Sequence, residues 1–287
     1  MGFAVVALLV FAACHNIFNK DKAIPSTQPA IVNKVSEKKD TVKVATIKHP
    51  AVINDTTLKY VYLTFDDGPD AGTMNCYNVC RSTGVKATFF LVGAHANHKH
   101  GKLILDTMKK DMRHFLFANH SYTHAAYNSY QSFYSKPDKA LEDFLRVHDS
   151  LKFEVPIARF PGNNVWQIEN TTRATKLTRP LSRLMDSIGY NVLGWDVEWK
   201  FNRKNEPIQS AELMAKEVID AVEKKTSVVK NHVVLLAHDR MFKEEKFRDS
   251  LAKMISIIQT QKGYIFETAN QYPKLKKHDR KLIASRK

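Results

Sequence analysis

The sequence predicts an α/β fold in which the strands of a parallel sheet alternate with helices. Short apolar runs typical of buried strands recur along the chain, and amphipathic helical stretches lie between several of them. This alternation favours parallel strands joined by crossover helices. A chain of 287 residues is long enough for one large domain, and the pattern shows no second one.

Seven apolar runs are the predicted strands. They cover residues 60–65, 87–92, 115–118, 155–160, 190–195, 232–236 and 264–266. Helical periodicity predicts helices over residues 138–151, 181–188, 211–225 and 245–261. Cys76 and Cys80 lie four apart in a further predicted helix, where Cβ atoms about 5–6 Å apart are too distant for an undistorted disulfide. We therefore expect two packed, reduced thiols.

The N-terminal segment predicts the compartment. Residues 3–13 form an apolar run that is too short to span a bilayer and ends in small residues before Cys14. Residues 1–13 resemble a lipoprotein signal peptide, which implies a lipid anchor on Cys14 and a membrane-attached protein of the bacterial cell envelope, periplasmic or surface-exposed. Residues 14–57 are polar and lack periodicity, which predicts a flexible tether.

The formal net charge of +15 is concentrated outside the predicted domain. Residues 14–60 carry +4 and residues 274–287 carry +6, so most of the excess lies in the flanking segments. This distribution argues against a nucleic-acid-binding domain. The basic tail at residues 275–287 either contacts anionic polymer or lipid headgroups, or serves solubility.

Two carboxylates end the first predicted strand. Asp66 and Asp67 follow the buried run and precede Gly68 and Pro69. Because successive side chains of an extended backbone point to opposite sides, one aspartate could bind a metal while its neighbour acts as a base. A surface turn would also explain Asp-Asp-Gly-Pro taken alone, but it does not account for the segments that follow.

His120 and His124 are spaced to share one cation. On a helix or tight turn, residues four apart lie on one face, which suits two imidazoles and one carboxylate around a zinc-like ion with an open position. Histidines at this spacing also occur on ordinary solvated helix faces. The pair therefore needs support from other segments.

Three further segments complete an ordered set of motifs. Residues 159–162 read Arg-Phe-Pro-Gly, residues 195–199 read Trp-Asp-Val-Glu-Trp, and residues 235–238 read Leu-Leu-Ala-His. With residues 64–69 and 120–124, they resemble the polysaccharide deacetylases of carbohydrate esterase family 4, which include peptidoglycan, chitin and xylan deacetylases. The resemblance covers about residues 58–274 and implies a single catalytic domain, a distorted, incomplete (β/α) barrel of about seven strands.

The resemblance also assigns roles to individual residues. It implies a metal held by Asp67, His120 and His124, a general base at Asp66, an orienting cation at Arg159 and a general acid at His238. Zn²⁺ is the expected metal, with Co²⁺ or Ni²⁺ as alternatives that this ligand set tolerates. A backbone N–H near Gly162 would donate to the oxyanion. The alternative for His238 is a purely structural role, as a buried histidine whose hydrogen bonds are satisfied, since an apolar strand precedes it.

The fourth motif departs from the family pattern. Where Asp-x-x-Asp-Trp is usual, this chain has Asp196, Val197, Glu198 and Trp199, so the carboxylate that partners Arg159 or His238 stays open. The third motif has Gly162 where a tyrosine is frequent. The predicted substrate pocket comprises Gly162, Trp195, Asp196, Glu198, Trp199 and Leu236. Plain core packing is the alternative for either tryptophan.

The resemblance implies an N-deacetylase acting on N-acetylglucosamine units of an envelope or environmental glycan, either peptidoglycan or chitin-like. An O-acetyl esterase on xylan or exopolysaccharide is the alternative within the same chemistry. A catalytically inactive glycan-binding lipoprotein is the alternative from another class. The chain is expected to act as a monomer.

An aromatic cluster beyond the histidines is either a sugar subsite or a packed loop; it comprises Tyr122, Tyr127, Tyr130, Phe133 and Tyr134.

Overall fold

In the computed structural model of the protein, residues 55–276 are described, and they contain one sheet of ten strands. The strands are β1 (Lys59–Asp66), β2 (Ala87–Leu91), β3 (Phe115–Asn119), β4 (Ile157–Ala158), β5 (Trp166–Ile168), β6 (Thr171–Arg173), β7 (Asn191–Val192), β8 (Val197–Glu198), β9 (His232–His238) and β10 (Tyr264–Phe266). The predicted signal peptide, the Cys14 anchor and most of the tether and basic tail lie outside the described residues.

Helices connect most of these strands. They are α1 (Thr73–Thr83), α2 (Gly93–Asn97), α3 (Lys99–Met108), α4 (His124–Asn128), α5 (Tyr130–Tyr134), α6 (Pro137–Leu151), α7 (Arg179–Ser187), α8 (Ala211–Glu223) and α9 (Glu245–Gln259). Two of these helices begin at residues that favour a helix N-terminus. Helix α6 begins with a proline, and the Ser210 hydroxyl caps α8 by accepting a hydrogen bond from the Leu213 N–H. Within residues 55–276, none of these helices has the length and apolar character needed to cross a membrane.

The sheet is curled and open. Its strand order is β6-β5-β7-β4-β3-β2-β1-β9-β8, and β10 pairs with β1. All pairings are parallel except those of β5 with β6 and β7. Strand β1 pairs along its length with β9, from Tyr60 opposite His232 to Asp66 opposite His238. This register brings the carboxyl ends of both strands, and the motif residues they carry, to one edge of the sheet.

The predicted α/β class and incomplete (β/α) barrel are confirmed. All seven predicted strands and all four predicted long helices are present, with ends shifted by a few residues. The antiparallel hairpin of β5 and β6 and the two-residue strand β8 were not predicted. They are too short to show a period of two, and β6 reads Thr-Thr-Arg.

The pattern of burial along β1 fixes the side on which Asp66 lies. Val61, Leu63 and Phe65 pack in the cluster under α1, α8 and α9. Tyr60 and Tyr62 pack in the cluster on the opposite, inner face of the curled sheet. By the period of two, Asp66 projects to that inner face.

Cys76 and Cys80 occupy the helix side of the core. Both are buried free thiols on α1, as predicted. Burial raises the pKa of each thiol, so both stay protonated near neutral pH.

Candidate active site

The two adjacent aspartates turn their side chains into the same cavity. Asp66 ends β1 in extended backbone, but Asp67 has a φ of 77°. His120 Nε2 lies 3.6 Å from Asp66 Oδ2 and 3.3 Å from Asp67 Oδ1. The prediction that the two carboxylates point to opposite sides is therefore wrong, because the left-handed backbone of Asp67 interrupts the alternation of a strand.

The second histidine is placed by a left-handed turn. His120 follows β3, while His124 opens α4, in which every residue has a φ between 51° and 70°. A left-handed helical conformation costs an L-residue about 1–2 kcal/mol. Of the helix or tight turn predicted for the histidine pair, the structure has a strained left-handed turn, of the kind that persists where surrounding structure enforces it.

Side chains enforce this turn. The hydroxyls of Ser121 and Thr123 accept hydrogen bonds from the backbone N–H groups of Ala125 and Ala126. The Asp143 carboxylate on α6 accepts from the Tyr122 and Thr123 N–H groups at 2.8 and 3.1 Å. As a result, His124 Nε2 lies 2.9 Å from Asp67 Oδ1.

Hydrogen bonds fix which ring nitrogen of each histidine faces the aspartate. His120 Nδ1 lies 3.0 Å from the Arg159 carbonyl oxygen, and His124 Nδ1 lies 2.6 Å from Asn128 Oδ1. Both partners are acceptors, so Nδ1–H donates and the Nε2 lone pair points at Asp67. Three lone-pair atoms therefore converge on one point.

This convergence fits a divalent cation. The three ligand atoms lie within 4.8 Å of one another, as ligands held about 2.0–2.2 Å from one ion would. Asp67 Oδ1 is buried and has no hydrogen bond within residues 55–276. Burial raises the pKa of Asp67, but charged imidazolium rings donating from Nε2–H at His120 and His124 outweigh this and hold the pKa well below its usual range, whereas the neutral rings present lone pairs to a cation. The donor set suits zinc, cobalt or nickel alike.

Arg159 holds Asp66 in a fully buried network. Its Nη1 donates to Asp66 Oδ1 at 2.8 Å and to Thr64 Oγ1 at 2.7 Å. Its Nε and Nη2 donate to the carbonyl oxygens of Leu193 and Gly194 at 3.1 and 2.9 Å. Asp66 is therefore the carboxylate that partners Arg159. Asp196 and Glu198, the two carboxylates of the fourth motif, form no hydrogen bond with Arg159.

His238 ends β9 beside the aspartates. Its Nε2 lies 4.0 Å from Asp67 Oδ2, and the ring packs edge-on against Phe201 at 4.8 Å between centroids. Burial lowers the pKa of His238, and the charges of Asp67 and Asp66 oppose that shift. The ring caps the 3₁₀ turn that follows β9, and no hydrogen bond joins it to Asp196 or Glu198.

Two predicted pocket residues lie outside the cavity. Asp196 accepts from the backbone N–H groups of Val228 and Val234 at 2.7 and 2.8 Å, and burial raises its pKa to about 6. Trp199 is fully buried, donates from Nε1 to the Gln209 carbonyl oxygen and packs edge-on against Phe242. The assignment of both residues to the substrate pocket is corrected: Asp196 ties backbone segments together, and Trp199 is core.

A cavity of about 770 Å³ joins the remaining residues. Its walls include Asp66, Asp67, His120, His124, Gly162, Trp195, Glu198, Leu236 and His238. Arg159 lies beneath this surface.

Only part of the predicted aromatic cluster reaches the cavity. Tyr127 and Tyr130 line it, whereas Phe133 and Tyr134 are buried in the core. Tyr122 stacks under the guanidinium of Arg146, 3.5 Å from the ring centre. A Cβ atom on Gly162 would lie 2.8 Å from the nearest atoms of the Tyr130 ring. An aromatic ring therefore forms this part of the wall, although Gly162 has no side chain.

Arg240 and Asp239 are site residues that the motifs did not identify. Arg240 Nη2 contacts Asp67 Oδ2 and its side chain lines the cavity. Asp239 is fully buried against Thr73, and burial raises its pKa to about 8. The only sequence signal for either was its position directly after His238 at the end of a predicted strand.

Comparisons with known proteins find similar sequences among the polysaccharide deacetylases. A sequence profile described as polysaccharide deacetylase matches residues 53–156. The peptidoglycan-N-acetylglucosamine deacetylase of Bacillus cereus is 26% identical over 288 residues, which cover 93% of this chain and 91% of that protein. The chitin disaccharide deacetylase of Vibrio alginolyticus is 23% identical over 319 residues, covering 79% of this chain and 74% of that protein.

The fold has solved counterparts. The catalytic domain of peptidoglycan N-acetylglucosamine deacetylase from Eubacterium rectale aligns with a TM-score of 0.55 at 23% identity, covering 83% of this chain and 99% of that one. That likeness shows a shared architecture. Taken with the sequence matches and the assembled motifs, it confirms the predicted resemblance to the polysaccharide deacetylases of carbohydrate esterase family 4.

Proposed function

We propose that the protein is a metal-dependent N-deacetylase that hydrolyses acetyl groups from N-acetylglucosamine units of peptidoglycan or a chitin-like glycan. The observation that carries this proposal is the convergence of Asp67 Oδ1 and the Nε2 atoms of His120 and His124 beside Asp66 in one cavity. Relatives whose names state activity on N-acetylglucosamine or chitin support the choice of an N-acetyl substrate.

Each catalytic role follows from position. A divalent cation bound by the three ligands would polarise the acetyl carbonyl and lower the pKa of a bound water from about 15.7 to about 7. Asp66 accepts the proton of the attacking water, while Arg159 holds its carboxylate in place from the buried side. His238, on the neighbouring strand end, gives a proton to the departing amine.

The cavity wall supplies the remaining contacts. We propose that the backbone N–H at Gly162 stabilises the oxyanion, since a donor there needs no side chain and Gly162 lines the cavity. Trp195, Glu198 and Leu236 line the same cavity, and we propose that they contact the acetyl group or the sugar.

We also propose that the protein is a lipid-anchored monomer of the bacterial envelope. The apolar run at residues 3–13 and Cys14 support acylation of that cysteine, and residues 14–57 would serve as a spacer. Metabolic labelling with a fatty-acid analogue tests this: labelled wild type and unlabelled Cys14→Ser are expected. Label retained in Cys14→Ser would contradict the anchor.

The substrate is tested by acetate release from three polymers. We expect the purified, zinc-loaded protein to release acetate from peptidoglycan or chitin oligomers and not from acetylxylan. Release from acetylxylan alone would reassign the protein as an O-acetyl esterase. A zinc-loaded protein that binds these glycans but deacetylates none of them would show a binding protein.

Tyr127 provides a separate prediction about substrate binding. Tyr127 is 75% exposed and lines the cavity. Stacking on a sugar ring is worth about 1 kcal/mol, so Tyr127→Ala is expected to raise KM for chitin oligomers about fivefold with kcat unchanged. Tyr127→Phe keeps the ring and is the matched control. Equal KM values for the alanine variant and wild type would remove Tyr127 from the subsite.

A further inference from the structure

The two oxygens of Asp67 have different partners. Oδ1 faces the two imidazole nitrogens at 2.9 and 3.3 Å. Oδ2 is contacted by Nη2 of Arg240, which lies in the 3₁₀ turn Asp239–Phe242 directly after β9. A guanidinium therefore rests on the carboxylate of the proposed metal ligand.

We infer that Arg240 is a positioning residue that keeps Asp67 to one coordinating oxygen. A carboxylate can offer a cation one oxygen or two, and a charge-assisted hydrogen bond to Oδ2 withdraws the second from coordination. Oriented outer partners of this kind hold metal ligands in one geometry. The inference rests on the proposed function only in that Asp67 binds the metal.

Arg240 is the group that orients the Asp67 carboxylate, because the other contacts of Asp67 do not hold Oδ2. The backbone of Asp67 is held separately, because His95 Nδ1 donates to its carbonyl oxygen at 2.7 Å. Rotation of the carboxylate group is opposed at Oδ2 by Arg240, and the next side-chain nitrogen near that oxygen is His238 Nε2 at 4.0 Å. Arg240 thus also keeps Asp67 from engaging His238, which leaves that imidazole available for the leaving amine.

The site gains an open coordination position from this arrangement. Monodentate Asp67 and two imidazoles supply three protein ligands, the number that catalytic zinc sites use while they keep a position for water or substrate. A second Asp67 oxygen would occupy part of that space. Arg240 therefore favours the open form of the site.

Crystal structures of zinc-loaded full-length variants test the inference. In wild type and in Arg240→Lys, which keeps the charge, we expect Asp67 to contact the ion through Oδ1 alone. In Arg240→Met, which keeps the stem length, we expect both Asp67 oxygens on the ion or Oδ2 turned to His238. We also expect kcat/KM for the methionine variant to fall about tenfold, with recovery in the lysine variant.

The control is Arg248→Met, which removes a surface arginine of α9 that pairs with Glu245 and should change neither readout. An unchanged one-oxygen contact in Arg240→Met would overturn the inference while leaving the metal site intact. A wild-type protein with zinc bound by both Asp67 oxygens would overturn it as well. Zinc absent from Asp67 and the two histidines in wild type would overturn both this inference and the proposed function.

Discussion

Replacing Asp66 by asparagine is expected to lower acetate release about a thousandfold, the scale at which a general base contributes. Asparagine preserves the size of the side chain and an oxygen for Arg159, but its amide does not accept the proton of the attacking water. Because Asp66 is not one of the three converging ligands, zinc content should stay at one ion per chain. Acetate release and metal analysis on the same preparation measure both.

The control for this variant is Asp249→Asn, which changes an exposed carboxylate on α9. Full activity in Asp66→Asn would remove Asp66 from the mechanism. Loss of zinc together with activity would instead place Asp66 among the ligands, since its Oδ2 lies 3.6 Å from His120 Nε2.

His120→Ala is expected to lose both bound zinc and activity. The change deletes one of three protein ligands and leaves Asp67 buried, with one imidazole on Oδ1 and Arg240 on Oδ2. Metal analysis after gel filtration should show zinc falling from one ion per chain to near zero. His114→Ala removes an imidazole that hydrogen-bonds Asp111 outside the cavity, so that variant should keep its zinc. Unchanged stoichiometry in His120→Ala would reject the ligand assignment.

Local periodicity was sufficient to predict most of the fold. Strands β1 and β9 have long apolar runs, and helices α6, α8 and α9 have apolar residues at helical spacing. The type of each element therefore follows from which of its residues are buried, and it can be predicted from the local sequence. Parallel strands then bring their carboxyl ends together, which explains why motifs far apart in sequence meet at one edge of the sheet.

The orientation of the site residues depended on single backbone angles that the sequence pattern did not reveal. Asp67 shares the cavity with Asp66 because its φ is positive. His124 reaches Asp67 through a left-handed turn that is held by hydroxyls and by Asp143, a residue in the following long helix. Spacing alone predicted the partners but not this route.

Side chains near a strand end were the hardest to assign. Asp196 and Trp199 lie in a motif-like segment, yet one binds backbone N–H groups and the other packs in the core. Arg240 belongs to no motif and reaches the site only because the chain turns back after β9. Tertiary packing, rather than local pattern, decides which of these residues face the cavity.

The central claim is that one divalent cation, held by Asp67, His120 and His124, is required for acetate release. It is tested by stripping the full chain with a chelator and titrating zinc back while acetate release from chitin oligomers is followed. We predict that activity is lost on stripping and returns in proportion to bound zinc, reaching its plateau at one ion per chain. Undiminished release by the metal-free protein would contradict the claim.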